Sequence, residues 1–314
     1  MYSYENYNSV KQEIERRRTQ ARAEADRRSA LMRELSPEIA KIDEELAGTG
    51  LLIFKTACSG GDIAPIRKRN QELCLRRREI IKSLGYSEDY TDVHYTCTEC
   101  SDTGFVDGAK MCKCFREQLV RATIVSSGIG NLIEKQSFEN FSLEYYKSSP
   151  DEYKRMSANL ESAKKYAKDF GKAGGNLILM GGTGTGKTHI STAIAKEVIS
   201  AGYDVIYDSI QNIISDFEYD RFRAGYGQSV PKSEKYTECD LLIIDDLGTE
   251  FSNQFSVSCL YNLINTRQNK GLSTIISTNL SPVELTGTYD GRICSRIFGC
   301  YQILQFVGSD RRIG

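Results

Sequence analysis

The sequence predicts an α/β fold: a parallel five-stranded sheet wrapped by helices, preceded by a small cysteine module and an N-terminal helical, coiled-coil-like domain. Three observations predict it. Short, partly β-branched apolar runs recur at 177–180, 204–207, 241–244, 274–277 and 302–306, separated by helical stretches, as expected of strands buried on both faces. A glycine-rich turn follows the first of these runs and opens a helix. Upstream, four of the ten cysteines fall within 18 residues, and before them the chain is dense in Arg and Glu with apolar residues at helical spacing.

At 314 residues the chain accommodates about two domains at roughly 150 residues each. The elements divide it into three parts: 1–90, a helical partner-binding domain; 91–135, a zinc-binding module with a linker helix; and 136–314, the sheet domain. In the first part Val10, Ile14, Leu31, Leu35, Ile39, Ile42, Leu46, Ile66, Leu73, Ile80 and Leu84 mark helical faces. Pro37 after Ser36 reads as a first helical residue behind its N-cap. Gly48, Gly50 and Ser59-Gly60-Gly61 read as breaks, so a bent antiparallel hairpin or bundle is expected rather than one rod. The runs Arg16-Arg17-Arg18 and Arg76-Arg77-Arg78 are of the kind that ordinarily form solvated helix faces. In the sheet domain Ser149, Pro150 and Glu152 are set to start a helix that stops at Gly171.

Composition narrows the function. The formal net charge is -1 with 26% charged residues, so no general basic field exists and any contact with DNA must be local. No apolar run approaches the roughly 20 residues of a membrane helix, and the first residues lack the apolar core of a signal peptide; a cytoplasmic protein is expected. In a reducing compartment clustered cysteines indicate metal, while the scattered Cys58, Cys74, Cys239, Cys259, Cys294 and Cys300 are expected to be buried thiols.

Gly181-Gly182-Thr183-Gly184-Thr185-Gly186-Lys187-Thr188 fits the phosphate-binding loop G-x-x-x-x-G-K-[ST] in its required strand-to-helix setting. Its backbone N–H groups can cradle phosphate oxygens, Lys187 can reach the β and γ phosphates, and the Thr188 hydroxyl can hold magnesium. The run 241–244 ends in Asp245-Asp246. A buried strand delivers such acids to the sheet edge, where Asp245 would hold magnesium and Asp246 would orient the attacking water. One further strand ends Ser277-Thr278-Asn279, an additional-strand arrangement similar to that of AAA+ ATPases, in which Asn279 would be sensor 1. Asn269-Lys270-Gly271-Leu272 lacks the carboxylate of a guanine-reading motif, which favours ATP.

The phrases Asp245-Asp246-Leu247-Gly248-Thr249-Glu250, Ser277-Thr278-Asn279-Leu280, Arg292 with Ser295-Arg296, and Phe306-Val307-Gly308-Ser309-Asp310-Arg311-Arg312 resemble, in order and spacing, the DnaC/DnaI helicase-loader family. Related insertion-element (IstB-like) helper ATPases share much of the set. Phe138-Glu139-Asn140-Phe141 is similar to the family's stretch near the adenine. The resemblance covers about 97–312. It implies an arginine finger at Arg292 and sensor 2 at Arg312, with Arg296 and Arg311 as the nearest alternatives. Where generic AAA+ ATPases carry Glu, this chain has Asp246, which keeps Glu250 in reserve. No helical lid follows Arg312 in this sequence, so the segment before the core or a neighbouring subunit is expected to close the adenine side.

Cys97-x2-Cys100-x11-Cys112-x-Cys114 offers four thiolates in two close pairs, the donor set of a structural zinc; His94 is a nearby alternative ligand. Together these readings imply an ATP- and Mg²⁺-dependent loader, carrying Zn²⁺, that binds a replicative DnaB-type hexameric helicase and delivers it to single-stranded DNA. It would self-assemble on its partner or on DNA and use hydrolysis as a release switch. The alternative is an IstB-like transposition helper assembling on duplex DNA. Tyr219, Arg221, Phe222, Arg223 and Tyr226 mix aromatic and basic character as a base-stacking groove would.

Overall fold

The structure is a computed structural model describing residues 2–130, 132–172, 175–223, 231–250 and 253–310. The chain forms two compact units, Lys11–Phe115 and Met1–Val10 with Arg116–Gly314.

The first unit contains most of α1 (Tyr4–Leu35) and the hairpin of α2 (Pro37–Cys58) and α3 (Ala64–Ser83). Ser36 has the extended backbone of an N-cap (φ −140°, ψ 108°) and Pro37 opens α2, since its ring fixes a helical φ and its missing N–H is not needed there. Met32, Ile39, Ile42, Leu73, Ile80 and Ile81 form the buried seam. Gly48 and Gly50 do not break the chain; both lie inside α2, which ends only at Ser59-Gly60. Burial of the Ile39 and Ile42 face, together with the bond from Asn70 Nδ2 to Thr49 Oγ1 (2.7 Å), outweighs a cost of roughly 1 kcal/mol per helical glycine. The arginine runs are partly neutralised by neighbouring acids: Arg16 pairs with Glu13, Arg76 with Glu38, and Arg77 with Asp43. A short antiparallel pair, β1 (Phe105–Val106) and β2 (Lys110–Met111), leads into α4 (Lys113–Ser126).

The second unit is built on five parallel strands: β3 (Asn176–Met180), β4 (Val205–Ser209), β5 (Leu241–Leu247), β6 (Ser273–Thr278) and β7 (Tyr301–Gln305). Their spatial order is β4-β5-β6-β3-β7, and each falls on an apolar run identified above. The helices are α5 (Leu132–Lys135), α6 (Pro150–Asp169), α7 (Lys187–Ser200), α8 (Ile210–Arg223), α9 (Glu234–Glu238), α10 (Gln254–Asn269), α11 (Pro282–Thr288) and α12 (Gly291–Cys300). Ser149 caps α6 by accepting from the Glu152 N–H. Alternate strand residues feed two apolar layers: Leu177, Leu179, Leu241, Ile243 and Ile275 pack on one face, and Ile178, Met180, Leu242, Ile244 and Ile276 on the other. Because β6 lies between β5 and β3, the carboxyl ends of three adjacent strands carry the acids, Asn279 and the glycine loop. Among the described residues no helix is long and apolar enough to cross a membrane.

Candidate active site and metal centre

Two glycines set the phosphate loop. Gly184 and Gly186 have φ of +70° and +94°, left-handed values that L side chains resist, and a Cβ on Gly186 would lie 2.9 Å from the Phe141 ring. Tyr146 OH donates to Thr185 O (2.9 Å) and Thr185 Oγ1 to Gly182 O (2.8 Å), fixing the curl. The turn delivers its backbone to the N-terminus of α7, where first-turn N–H groups and the helix dipole favour an anion. Loop residues 183–189 line a cavity of about 250 Å³ together with Gln136, Asp246 and Asn279. Lys187 is only 6% exposed. Its ammonium donates to Gly181 O and Gly182 O at 2.7 Å and to Asn279 Oδ1 at 2.6 Å. Lys187 and Asn279, 92 residues apart, therefore meet at one point. His189 Nε2 lies 2.8 Å from Ser137 O, and its ring meets Phe141 edge-on, which ties the segment before the core to α7.

Asp245 receives a hydrogen bond on each oxygen. Tyr207 OH on β4 donates to Oδ2 (2.5 Å) and Ser277 Oγ on β6 donates to Oδ1. Burial first, then the charge of Asp245, pushes the Tyr207 phenol well above its usual range, so it stays a proton donor. Asp246 follows with φ +56°. Its N–H donates to Ser277 Oγ (3.0 Å), its carbonyl accepts from Thr249 Oγ1 (2.8 Å), and the residue lines the cavity. Glu250 lies elsewhere: one oxygen accepts from Gly248 N (2.8 Å), the other from Tyr289 OH, and it is not among the residues lining this cavity.

Arg292 projects from the first turn of α12 with its side chain 75% exposed, held to Asp290 Oδ2 at 3.0 Å and over the Tyr261 ring. Arg296 is less free, bonded to Gln268 Oε1 (3.1 Å) and Tyr261 OH (3.3 Å). Arg311 and Arg312 lie outside the described residues, as does Tyr226. At the end of α8, Phe222 is exposed, Arg221 covers the Phe255 ring, and Lys232 covers Tyr219.

The sulfurs of Cys97, Cys100, Cys112 and Cys114 all lie within 4.8 Å of one another, with 3.8 Å between Cys97 and Cys112 and 3.5 Å between Cys100 and Cys114. A tetrahedral zinc bound at about 2.3 Å sets its sulfurs roughly 3.8 Å apart, so the four thiols fit such an ion. The buried Asp102 carboxylate accepts from the N–H groups of Thr96 (2.8 Å) and Cys97 (3.0 Å), and Cys112 N donates to Gly104 O (2.9 Å). These bonds hold the two knuckles independently of the thiols. Gly104 (φ +79°) has no room for a Cβ, which would meet Phe115 at 2.5 Å. His94 is exposed and stands outside the group of four.

Sequence reasoning did not find Tyr207 or Ser277. The one available clue to Ser277 was its place beside the Thr278-Asn279 phrase; Tyr207 carried none, because its partner is 38 residues away.

A parallel sheet ordered β4-β5-β6-β3-β7, with a phosphate loop after β3 and an acidic pair on β5, two strands away, defines an AAA+ nucleotide-binding core. Residues 117–293 match the IstB-like ATP binding protein family, more than half of the chain, and the chain belongs to that family. It is 26% identical over 182 residues to the replicative helicase loader DnaC of Escherichia coli K12, covering 58% of this chain and 71% of that one. To the chromosomal replication initiator protein DnaA of Wolinella succinogenes it is 28% identical over 134 residues, covering 40% and 28%. The crystal structure of the DnaC helicase loader aligns with a TM-score of 0.44 at 21% identity, covering 49% of this chain and 90% of that one.

Proposed function

We propose that the protein is an ATP-dependent loader that binds a replicative DnaB-type hexameric helicase and delivers it to single-stranded DNA in the cytoplasm, with hydrolysis as the release switch. The observation that carries this reading is the meeting of Lys187 and Asn279 beside Asp246 in one cavity. An amide on a neighbouring strand that touches the phosphate-loop lysine can sense the γ phosphate, as a switch requires. The DnaC relatives favour the loader over the transposition helper.

In this reading the loop amides and Lys187 hold the phosphates, and Thr188 and Asp245 hold magnesium, with Tyr207 and Ser277 fixing the carboxylate. Bound magnesium would supply charge neutralisation on the phosphates. Asp246 orients the attacking water, Asn279 senses the γ phosphate, Arg292 serves as a finger for the next subunit, and Arg312 acts as sensor 2. Zinc on Cys97, Cys100, Cys112 and Cys114 has a structural role, since four thiolates fill its tetrahedral shell and leave it no open position. Residues 1–90 contact the helicase, 91–135 form the zinc module and 136–314 the ATPase.

Helicase retention on circular single-stranded DNA tests the proposal. Retention should require the full chain and ATP, and Asp246→Asn should trap the helicase–loader complex without release. If the chain instead captures a transposase on duplex DNA and leaves the helicase unloaded, the loader reading fails.

A further inference from the structure

Glu250 stands beside the site without entering it, and both of its oxygens are committed. Oε2 accepts from the N–H of Gly248, two residues beyond Asp246, at 2.8 Å. Oε1 accepts from Tyr289 OH. The turn it holds departs from ordinary backbone twice, at Asp246 (φ +56°) and Gly248 (φ +99°). A Cβ on Gly248 would lie 2.5 Å from Leu280, the residue after the sensor asparagine. Such conformations persist where the surroundings over-determine them; here Ser277, Thr249, Leu280 and Glu250 do so.

The other end of the contact is equally well placed. Tyr289 is buried, its N–H donates to Leu285 O, and it immediately precedes Asp290. Asp290 caps α12 by accepting from Arg292 N (3.1 Å) and Ile293 N (3.0 Å), and also holds the Arg292 guanidinium. One carboxylate thus joins the turn that sets Asp246 to Tyr289, the residue before the cap of the arginine-bearing helix. A carboxylate suits this position because both partners are donors, and bonds to a charged acceptor are the stronger kind.

We infer that Glu250 is a positioning residue, a strap through Tyr289 that passes the nucleotide state of the Asp246 turn to α12, and so to the arginine that the subunit offers its neighbour. The inference rests on the ATPase reading proposed above. It gives Glu250 a role distinct from polarising water.

Hydrogen exchange on the full-length protein, with and without Mg²⁺ and a non-hydrolysable ATP analogue, tests it. In the parent, the analogue should slow exchange both at 182–190 and at 290–297. Tyr289→Phe, which removes only the hydroxyl, should keep the response at 182–190 and reduce that at 290–297 by about tenfold, the shift one hydrogen bond to a charged acceptor supplies. Glu250→Gln, which retains an acceptor for Gly248 N–H, should fall between the two. A merely structural bond would instead raise exchange of α12 equally in both nucleotide states. A parent that responds at 182–190 but not at 290–297, or a Tyr289→Phe variant that responds like the parent, overturns the strap alone. No response at either segment removes the nucleotide reading and the strap with it.

Discussion

If Arg292 completes the neighbouring subunit's site, two inactive variants must rescue each other. Lys187→Ala removes a buried ammonium that touches three oxygens, while the strand and helix flanking it keep their own core of Leu179, Ile190 and Ile194. The variant should fold, lose phosphate binding and still present its arginine. Arg292→Ala removes an exposed side chain that touches Asp290 and the Tyr261 ring, so it should fold, bind ATP and fail to accelerate hydrolysis. Fingers of this kind are worth about 10³ to 10⁵ in rate in well-studied GTPases, which sets each variant's background near zero. In a head-to-tail assembly an interface works only when an intact loop meets an intact finger. Random mixing then gives a product of the two fractions, peaking at about one quarter of parental activity at equal amounts. Steady-state ATP hydrolysis measured against mixing ratio, with helicase and single-stranded DNA present, should trace a symmetric arch. A flat line at the single-variant level, with mixed assembly confirmed by energy transfer between labelled subunits, refutes the shared site.

Purified protein should carry one zinc per chain, and Cys112→Ser should lose the metal and the exchange protection of 96–115 while the sheet domain keeps its own; elemental analysis showing no metal in reduced protein would end this assignment. Tyr207→Phe, which deletes one of two donors to Asp245, should raise the Mg²⁺ needed for half-maximal hydrolysis by about tenfold, the usual loss for an outer-sphere contact, and leave nucleotide affinity in EDTA unchanged. An unmoved Mg²⁺ titration would show that Ser277 suffices. Asp204 has its carboxyl pushed up to about 6 by burial and by the neighbouring Asp240. A raised acid binds its proton more tightly folded than unfolded, so its stabilisation is complete below about pH 4 and is lost as pH rises through about 6. Asp204→Asn should therefore be the more stable chain at pH 7.5, by about 1–3 kcal/mol, and match the parent near pH 4; equal pH slopes in denaturant titrations would contradict this.

The phosphate loop, the acidic pair and the four cysteines were legible in the sequence because their chemistry is local. Glycines at fixed offsets permit the left-handed turns seen at Gly184 and Gly186, and thiol pairs one to two residues apart can bind one ion wherever the chain runs. The five strands were legible too, since burial on both faces demands unbroken apolar runs. Helix breaks were less so: Gly48 and Gly50 were absorbed into α2 because packing of its apolar face decided the matter. Only the tertiary structure decided what holds each acid. Tyr207 and Ser277 reach Asp245 because β4 and β6 flank β5 in one particular register, and Tyr289 reaches Glu250 across 39 residues. The sequence by itself determined which residues could do the chemistry; the order and register of parallel strands, set by long-range pairing that leaves no local pattern, determined how their charges are aimed.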